Sequence, residues 1–187
     1  TFAAALPNIL PIVIFSLEMS KNQLGMRMLC SEARVDSMRV RRGFLNRNEF
    51  GQLMDCAERL RQLPILIDDN PSLSIIDIRT RTKTLQMNQG ISMIIIDYLQ
   101  LLKASRHKES RQQEISDISR DLKILAKDLN IPVIALSQLN RAVESRNPPI
   151  PQLSDLRDSG ALEQDADVVM FLYRPDMYKP NSEDNTT

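Results

Sequence analysis

Three side chains that could act on a phosphate each stand where a buried strand should end. The run Met93-Ile-Ile-Ile closes on Asp97, with Tyr98, Leu99 and Gln100 after it. Unbroken apolar runs of this length read as strands of a parallel sheet. Ligands of open α/β sheets bind beyond the carboxyl ends of such strands, where an aspartate can hold magnesium against nucleotide phosphates. Glu18 follows the run Ile12-Val-Ile-Phe-Ser-Leu17. It is either a general base acting on water or a carboxylate that complements the start of the next helix. Gln138 follows Pro132-Val-Ile-Ala-Leu-Ser137. Its amide could sense a terminal phosphate and relay its presence to the next loop, or it could be an ordinary polar strand cap. Singly each residue is ambiguous; together, Glu, Asp and Gln at one edge of one sheet suit phosphate hydrolysis.

Other clusters carry two readings each. Asp68-Asp69 could bind a metal or form a turn. The segment 154–167 mixes Arg157 with several acids around Gly160. Gly160 would let backbone N–H groups approach a phosphate closely; the other reading is a capped turn leading into a strand. The loop 103–111 is basic, and is either solvated or in contact with phosphate. His107 is the single histidine, which argues against a histidine metal site or a Ser-His-Asp triad. No G-x-x-x-x-G-K-[ST] phosphate loop occurs in the chain, although its usual place is just before the first helix.

Alternating strands and helices must position these groups. Strands are expected at 12–17, 64–68, 92–97, 132–137 and 166–173. Ser20 and Gln23 form a capping-box pair for a helix running to about 35. A short helix over 36–43 ends on Gly43, and further helices span 49–63 and 74–88. A long helix follows the basic loop, with Ile115, Ile118, Leu122, Leu125 and Leu129 on one stripe. Residues 147–151 form a stiff proline turn, and the tail from 174 is polar and disorder-prone. Repeated β-then-α order predicts an α/β fold with a mostly parallel sheet flanked by helices on both faces.

The 187 residues suffice for one domain with a real core. Twenty-four basic residues balance 24 acidic ones, so bulk charge gives no argument for nucleic acid. No apolar run approaches the roughly 20 residues of a membrane-spanning helix, and no signal peptide is evident. Cys30 and Cys56 lack metal-binding spacing and read as buried thiols in a reducing compartment. The chain starts without methionine and is expected to be part of a longer protein.

Five stretches taken in order resemble the C-terminal motor domain of bacterial DnaB-type replicative helicases. They are Phe15-Ser-Leu-Glu18-Met-Ser, Ile94-Ile-Ile-Asp97-Tyr-Leu-Gln-Leu, Arg111-Gln-Gln-Glu-Ile-Ser, Ile131-Pro-Val-Ile-Ala-Leu-Ser-Gln138-Leu-Asn-Arg141 and Ser154-Asp-Leu-Arg-Asp-Ser-Gly160-Ala-Leu-Glu-Gln-Asp-Ala-Asp167. The resemblance implies a RecA-like (P-loop NTPase) fold and a homohexameric ring. It also implies ATP hydrolysis, with Mg2+, coupled to 5′→3′ movement on single-stranded DNA and unwinding at the replication fork. By this resemblance Glu18 is the catalytic base, Asp97 the Walker B residue acting on magnesium through water, and Gln138 the γ-phosphate sensor. Arg27 matches a nucleotide-contacting arginine, and Thr1 would follow the missing phosphate loop directly. Arg157, Asp158 and Gly160 match the loop that grips the DNA backbone, although the family often has Glu where Asp158 stands.

The same resemblance implies primase and helicase-loader contacts through the full-length protein, in the bacterial cytoplasm at nucleoid replication forks. The family's K-x-R arginine finger does not occur in the chain and is expected after Thr187, as the phosphate loop is expected before Thr1. Such a finger is worth roughly 10³–10⁵ in rate, so residues 1–187 alone should hydrolyse ATP poorly. Two other readings remain at this point: a recombination or repair ATPase of the wider RecA-like group, and a non-hydrolysing scaffold that keeps the fold.

Overall fold

The computed structural model describes residues 10–104 and 110–175. Thr1, residues 105–109 of the basic loop with His107, and the tail from 176 lie outside them. Strands β1 (Ile12–Ser16), β2 (Ile65–Asp68), β3 (Met93–Asp97) and β4 (Val133–Ala135) form one parallel sheet in the order β2-β1-β3-β4. Val13 and Phe15 of β1 lie in register with Ile94 and Ile96 of β3, and all four are buried. Two helices close this face: α4 (Ile75–Gln89) and α5 (Arg111–Leu129). They contribute Ile75, Ile78, Ile118, Leu122 and Leu125 to the same buried cluster. The stripe read at spacings of three and four is therefore the core face of α5. The alternate strand residues Ile12, Ile14, Met93 and Ile95 are half-buried.

Between β1 and β2 run α1 (Lys21–Ala33), α2 (Ser37–Arg42) and α3 (Arg47–Arg61). They enclose a second core of Ala33, Val35, Leu53 and Cys56. Their boundaries follow local chemistry. The Ser20 hydroxyl accepts from the Gln23 N–H, and the Gln23 side chain accepts from the Ser20 N–H, so the capping box is present. Asp36 caps α2, and Gly43, with φ of 73°, ends it. Asn46 with Glu49 caps α3, and Ser74 with Asp77 caps α4. Cys30 and Cys56 are both free and buried.

One expected element does not form. Residues 166–173 follow the short helix α6 (Gly160–Asp165) as irregular chain, not as a fifth strand. An apolar run becomes a strand only where an open edge lies alongside to complete its hydrogen bonds. Here Val168 is 71%, Met170 75% and Leu172 96% exposed. The start of the segment is held near α5 instead: Lys123 Nζ pairs with Asp167 (2.5 Å), and just before it the Ser119 hydroxyl donates to Asp165 at the end of α6 (2.7 Å). Strand β4 is also shorter than the expected 132–137, although the Leu136 N–H still donates to the Ile96 carbonyl (2.9 Å).

Candidate active site

From β1 the chain crosses to β2 on one side; from β3 it crosses to β4 on the other. The point between β1 and β3 is thus where the winding reverses, and such a switch point opens a crevice at the carboxyl ends of the strands. Ser16 is in register with Asp97, and the Leu17 N–H donates to the Asp97 carbonyl (2.8 Å). Glu18 is therefore the first residue beyond the last ladder bond of β1. The buried Ser16 hydroxyl donates to the Met19 carbonyl (2.8 Å), which tightens the turn around Glu18 before α1 begins. Glu18, Asp97, Tyr98, Leu136, Ser137 and Gln138 line one open cleft of about 300 Å³. The three residues singled out at strand ends converge there.

Sequence reasoning missed what holds this edge together. The Asp97–Tyr98 peptide is cis, and the Leu99 N–H donates to the Leu136 carbonyl (3.0 Å). Gln100 then bridges the two strand tails. Its amide nitrogen donates to the Ser137 hydroxyl (2.9 Å) and the Gln138 carbonyl (3.3 Å), and its amide oxygen accepts from the Gln138 N–H (3.3 Å). Arg111 of α5 donates to the carbonyls of Gln100 (2.9 Å) and Leu102 (3.0 Å) and is itself paired with Glu114. The tail of β3 is thereby fixed from two sides. Gln100 gave no signal in the sequence because its partners lie 37 and 38 positions away.

The donors facing the cleft are carboxylate, hydroxyl and amide oxygens, a set that suits a hard cation such as magnesium. Among the described residues no group of three or more His, Cys, Asp or Glu is placed to hold a metal alone. Magnesium is usually bound through one or two carboxylates completed by waters and substrate phosphates. The Asp68-Asp69 pair serves structure: Asp69 accepts from the Lys21 N–H at the start of α1 (2.9 Å), while Asp68 accepts from the Asn70 N–H (3.2 Å) and pairs with Arg81.

The remaining candidates sit on other elements. Arg27 is exposed on α1. Arg157 and Asp158 belong to a 3₁₀ turn, Leu153–Ser159, and Gly160 opens α6. Gly160 has φ of −53°, which any residue adopts. A Cβ there would meet nothing within 4 Å, so the conformation does not require glycine, and its bare backbone is open to a ligand. This turn joins the cleft through the tail of β4: the Asn140 N–H, two residues beyond Gln138, donates to the Asp155 carbonyl (3.1 Å).

Comparison with known proteins adds three findings. A family profile described as "DnaB-like helicase C terminal domain" matches residues 2–187. The chain is 51% identical over 173 residues to "Replicative DNA helicase DnaB" of Geobacillus stearothermophilus, and 48% identical over 173 residues to "Replicative DNA helicase DnaC" of Bacillus subtilis. Each alignment covers 92% of this chain and 38% of the relative, so the chain spans well under half the length of these curated relatives. Among solved structures it is similar to "The Structure Of A DnaB-Like Replicative Helicase And Its Interactions With Primase", with a TM-score of 0.86 and 40% identity over 94% of this chain and 43% of that one. A second solved structure, described as an "ATPase Domain", is similar with a TM-score of 0.85 and 40% identity over 94% of this chain and 63% of that one.

Proposed function

The chain belongs to the DnaB-like helicase C-terminal domain family, and from that premise we propose that it is the motor of a replicative DNA helicase. In this reading ATP hydrolysis, with Mg2+, drives 5′→3′ translocation on single-stranded DNA and unwinds the duplex ahead. The observation that carries the proposal is the convergence of Glu18, Asp97 and Gln138 on one cleft at the sheet's switch point.

Each residue has a role that its position suits. Glu18, exposed at the cleft, takes a proton from water as the water attacks the terminal phosphorus and the bond to the departing ADP oxygen breaks. Asp97 orients magnesium through water; when bound, the ion neutralises charge on the phosphate oxygens. Gln138 donates its amide to the terminal phosphate, and Gln100 and Arg111 keep the two strand tails in register for this. Arg27 and Thr1 contact nucleotide. Arg157, Asp158 and Gly160 hold the DNA backbone, largely through main-chain groups. The working unit is a homohexamer in the bacterial cytoplasm at replication forks, where the full-length protein meets primase and a helicase loader. Six copies of one loop converging on one strand make a basic face on each subunit unnecessary, which agrees with a net charge of zero. No described helix is long and apolar enough to cross a membrane.

The test is Asp97→Asn in the full-length protein, because neither the phosphate loop nor the arginine finger occurs within residues 1–187. Magnesium-dependent turnover should fall at least about 10²-fold, with ATP still bound and the melting temperature unchanged. A large loss of thermal stability with turnover otherwise intact would make Asp97 a structural residue.

A further inference from the structure

Beyond the cleft, the densest polar cluster lies between the tail of β4 and α6. Arg146 grips Asp155 with both arms of its guanidinium: Nη1 donates to Oδ2 (2.9 Å) and Nη2 to Oδ1 (2.6 Å). Nη1 also donates to the Ile150 carbonyl (2.9 Å), and the Gln152 N–H donates to Asp155 Oδ2 (2.7 Å). The Asp155 side chain is 4% exposed and that of Arg146 30%. One carboxylate therefore closes the excursion over 146–152, which includes the cis Asn147–Pro148 bond. The carbonyl of the same residue takes the Asn140 N–H. Val143 and Leu156, both buried at 8% exposed, flank this junction in the chain. Asp155 stands two residues before Arg157. A bidentate pair of this kind fixes orientation as well as distance.

We propose that the Arg146–Asp155 pair is a positioning clamp that makes the tail of β4 and the 3₁₀ turn Leu153–Ser159 one unit, through which the state of Gln138 reaches the DNA loop. The proposal rests on the reading of Arg157, Asp158 and Gly160 as DNA contacts. Gln138 senses the nucleotide side, Asn140 carries the tail of β4 to the Asp155 carbonyl, and the carboxylate of Asp155 sets the turn that bears Arg157. Neither member of the pair lines the cleft, so the clamp acts on the coupling between nucleotide and DNA and leaves hydrolysis itself alone.

The experiment uses the full-length protein and a fluorescein-labelled oligothymidylate at fixed salt, with and without a non-hydrolysable ATP analogue. The readout is the ratio of the two DNA dissociation constants, beside DNA-free ATPase rates. Asp155→Asn and Arg146→Lys are compared with wild type and with Arg157→Ala. Both clamp variants should reduce the nucleotide-dependent gain in DNA affinity by about tenfold, within the range usual for coupled sites. DNA-free turnover and the KM for ATP should stay within about twofold of wild type, since the variants leave the cleft lining intact. Arg146→Lys keeps the charge and loses the fork, so it carries the test should Asp155→Asn fail to fold. A coupling ratio unchanged in the clamp variants, with Arg157→Ala weakened, would overturn the clamp alone. DNA affinity unchanged in Arg157→Ala would overturn the DNA-loop reading beneath it. Joint loss of melting temperature, DNA-free turnover and DNA binding in both clamp variants would make the pair a structural brace, which also overturns the proposal.

Discussion

Asp155 and Asp77 carry the clearest electrostatic signature at the residue scale. The hydrogen bonds from Arg146, aided by the Gln152 N–H, hold the Asp155 carboxyl below its ordinary value, and the same contact raises the Arg146 guanidinium. Asp77 is lowered chiefly by the Ser74 hydroxyl and then by the Ser74 N–H. A carboxylate lowered in the folded state releases its proton more readily there than in the unfolded chain. Its contribution to stability is therefore complete above the unfolded value, near about 3.9 for aspartate, and is lost as pH falls through the folded value. The melting-temperature difference between wild type and Asp155→Asn should accordingly be flat from neutral pH down to about 5 and shrink below about 4. A difference that widens on acidification would contradict the assignment. The shared position of Glu18, Asp97 and Gln138 at one edge of the sheet was legible in the sequence because each follows an apolar run, a property of neighbours in the chain. Gln100 and the Arg146–Asp155 clamp were not, because their meaning comes from partners that only folding brings near.

Elements divide in the same way. The helix starts at Ser20 and Ser74 were readable because capping is local: Ser20 with Gln23 is a pattern of four consecutive residues, and it forms as read; the start of α3 was not, because Asn46 caps it ahead of the expected residue 49. The core stripe of α5 was readable because its period is set by the helix itself. The apolar run at 166–173 misled because strand formation needs a neighbouring edge, which no local pattern specifies; only Val169 and Phe171 of the run are half-buried, and it does not join the sheet. The segment 154–167 was open to two readings, and the 3₁₀ geometry at its start, Leu153–Ser159, was not foreseen. Ile118 tests the packing account at this scale. It is 1% exposed in the cluster that joins α5 to the sheet, so Ile118→Ala should destabilise by about 2–5 kcal/mol in chemical denaturation. A loss below about 0.5 kcal/mol would be typical of a surface position and would mean that α5 does not seal this face.

For the molecule as a whole, the sheet order β2-β1-β3-β4 places the reversal of winding between the strands that end near Glu18 and Asp97. The cleft is a consequence of that topology, and the DNA-loop candidates hang from its far side through β4. Under the proposed function, a neutral chain would work on a polyanion through contacts concentrated in one loop and multiplied by assembly, not spread over a basic face. The central claim is that this cleft hydrolyses nucleotide in response to DNA. The most direct measurement is steady-state ATPase activity of the full-length protein, with and without single-stranded DNA, beside its Glu18→Gln variant. The account predicts DNA-stimulated turnover that falls at least about 10²-fold in the variant, the scale of a lost general base, with ATP binding retained. ATP binding without turnover in either protein, or DNA-stimulated turnover undiminished by Glu18→Gln, would contradict it.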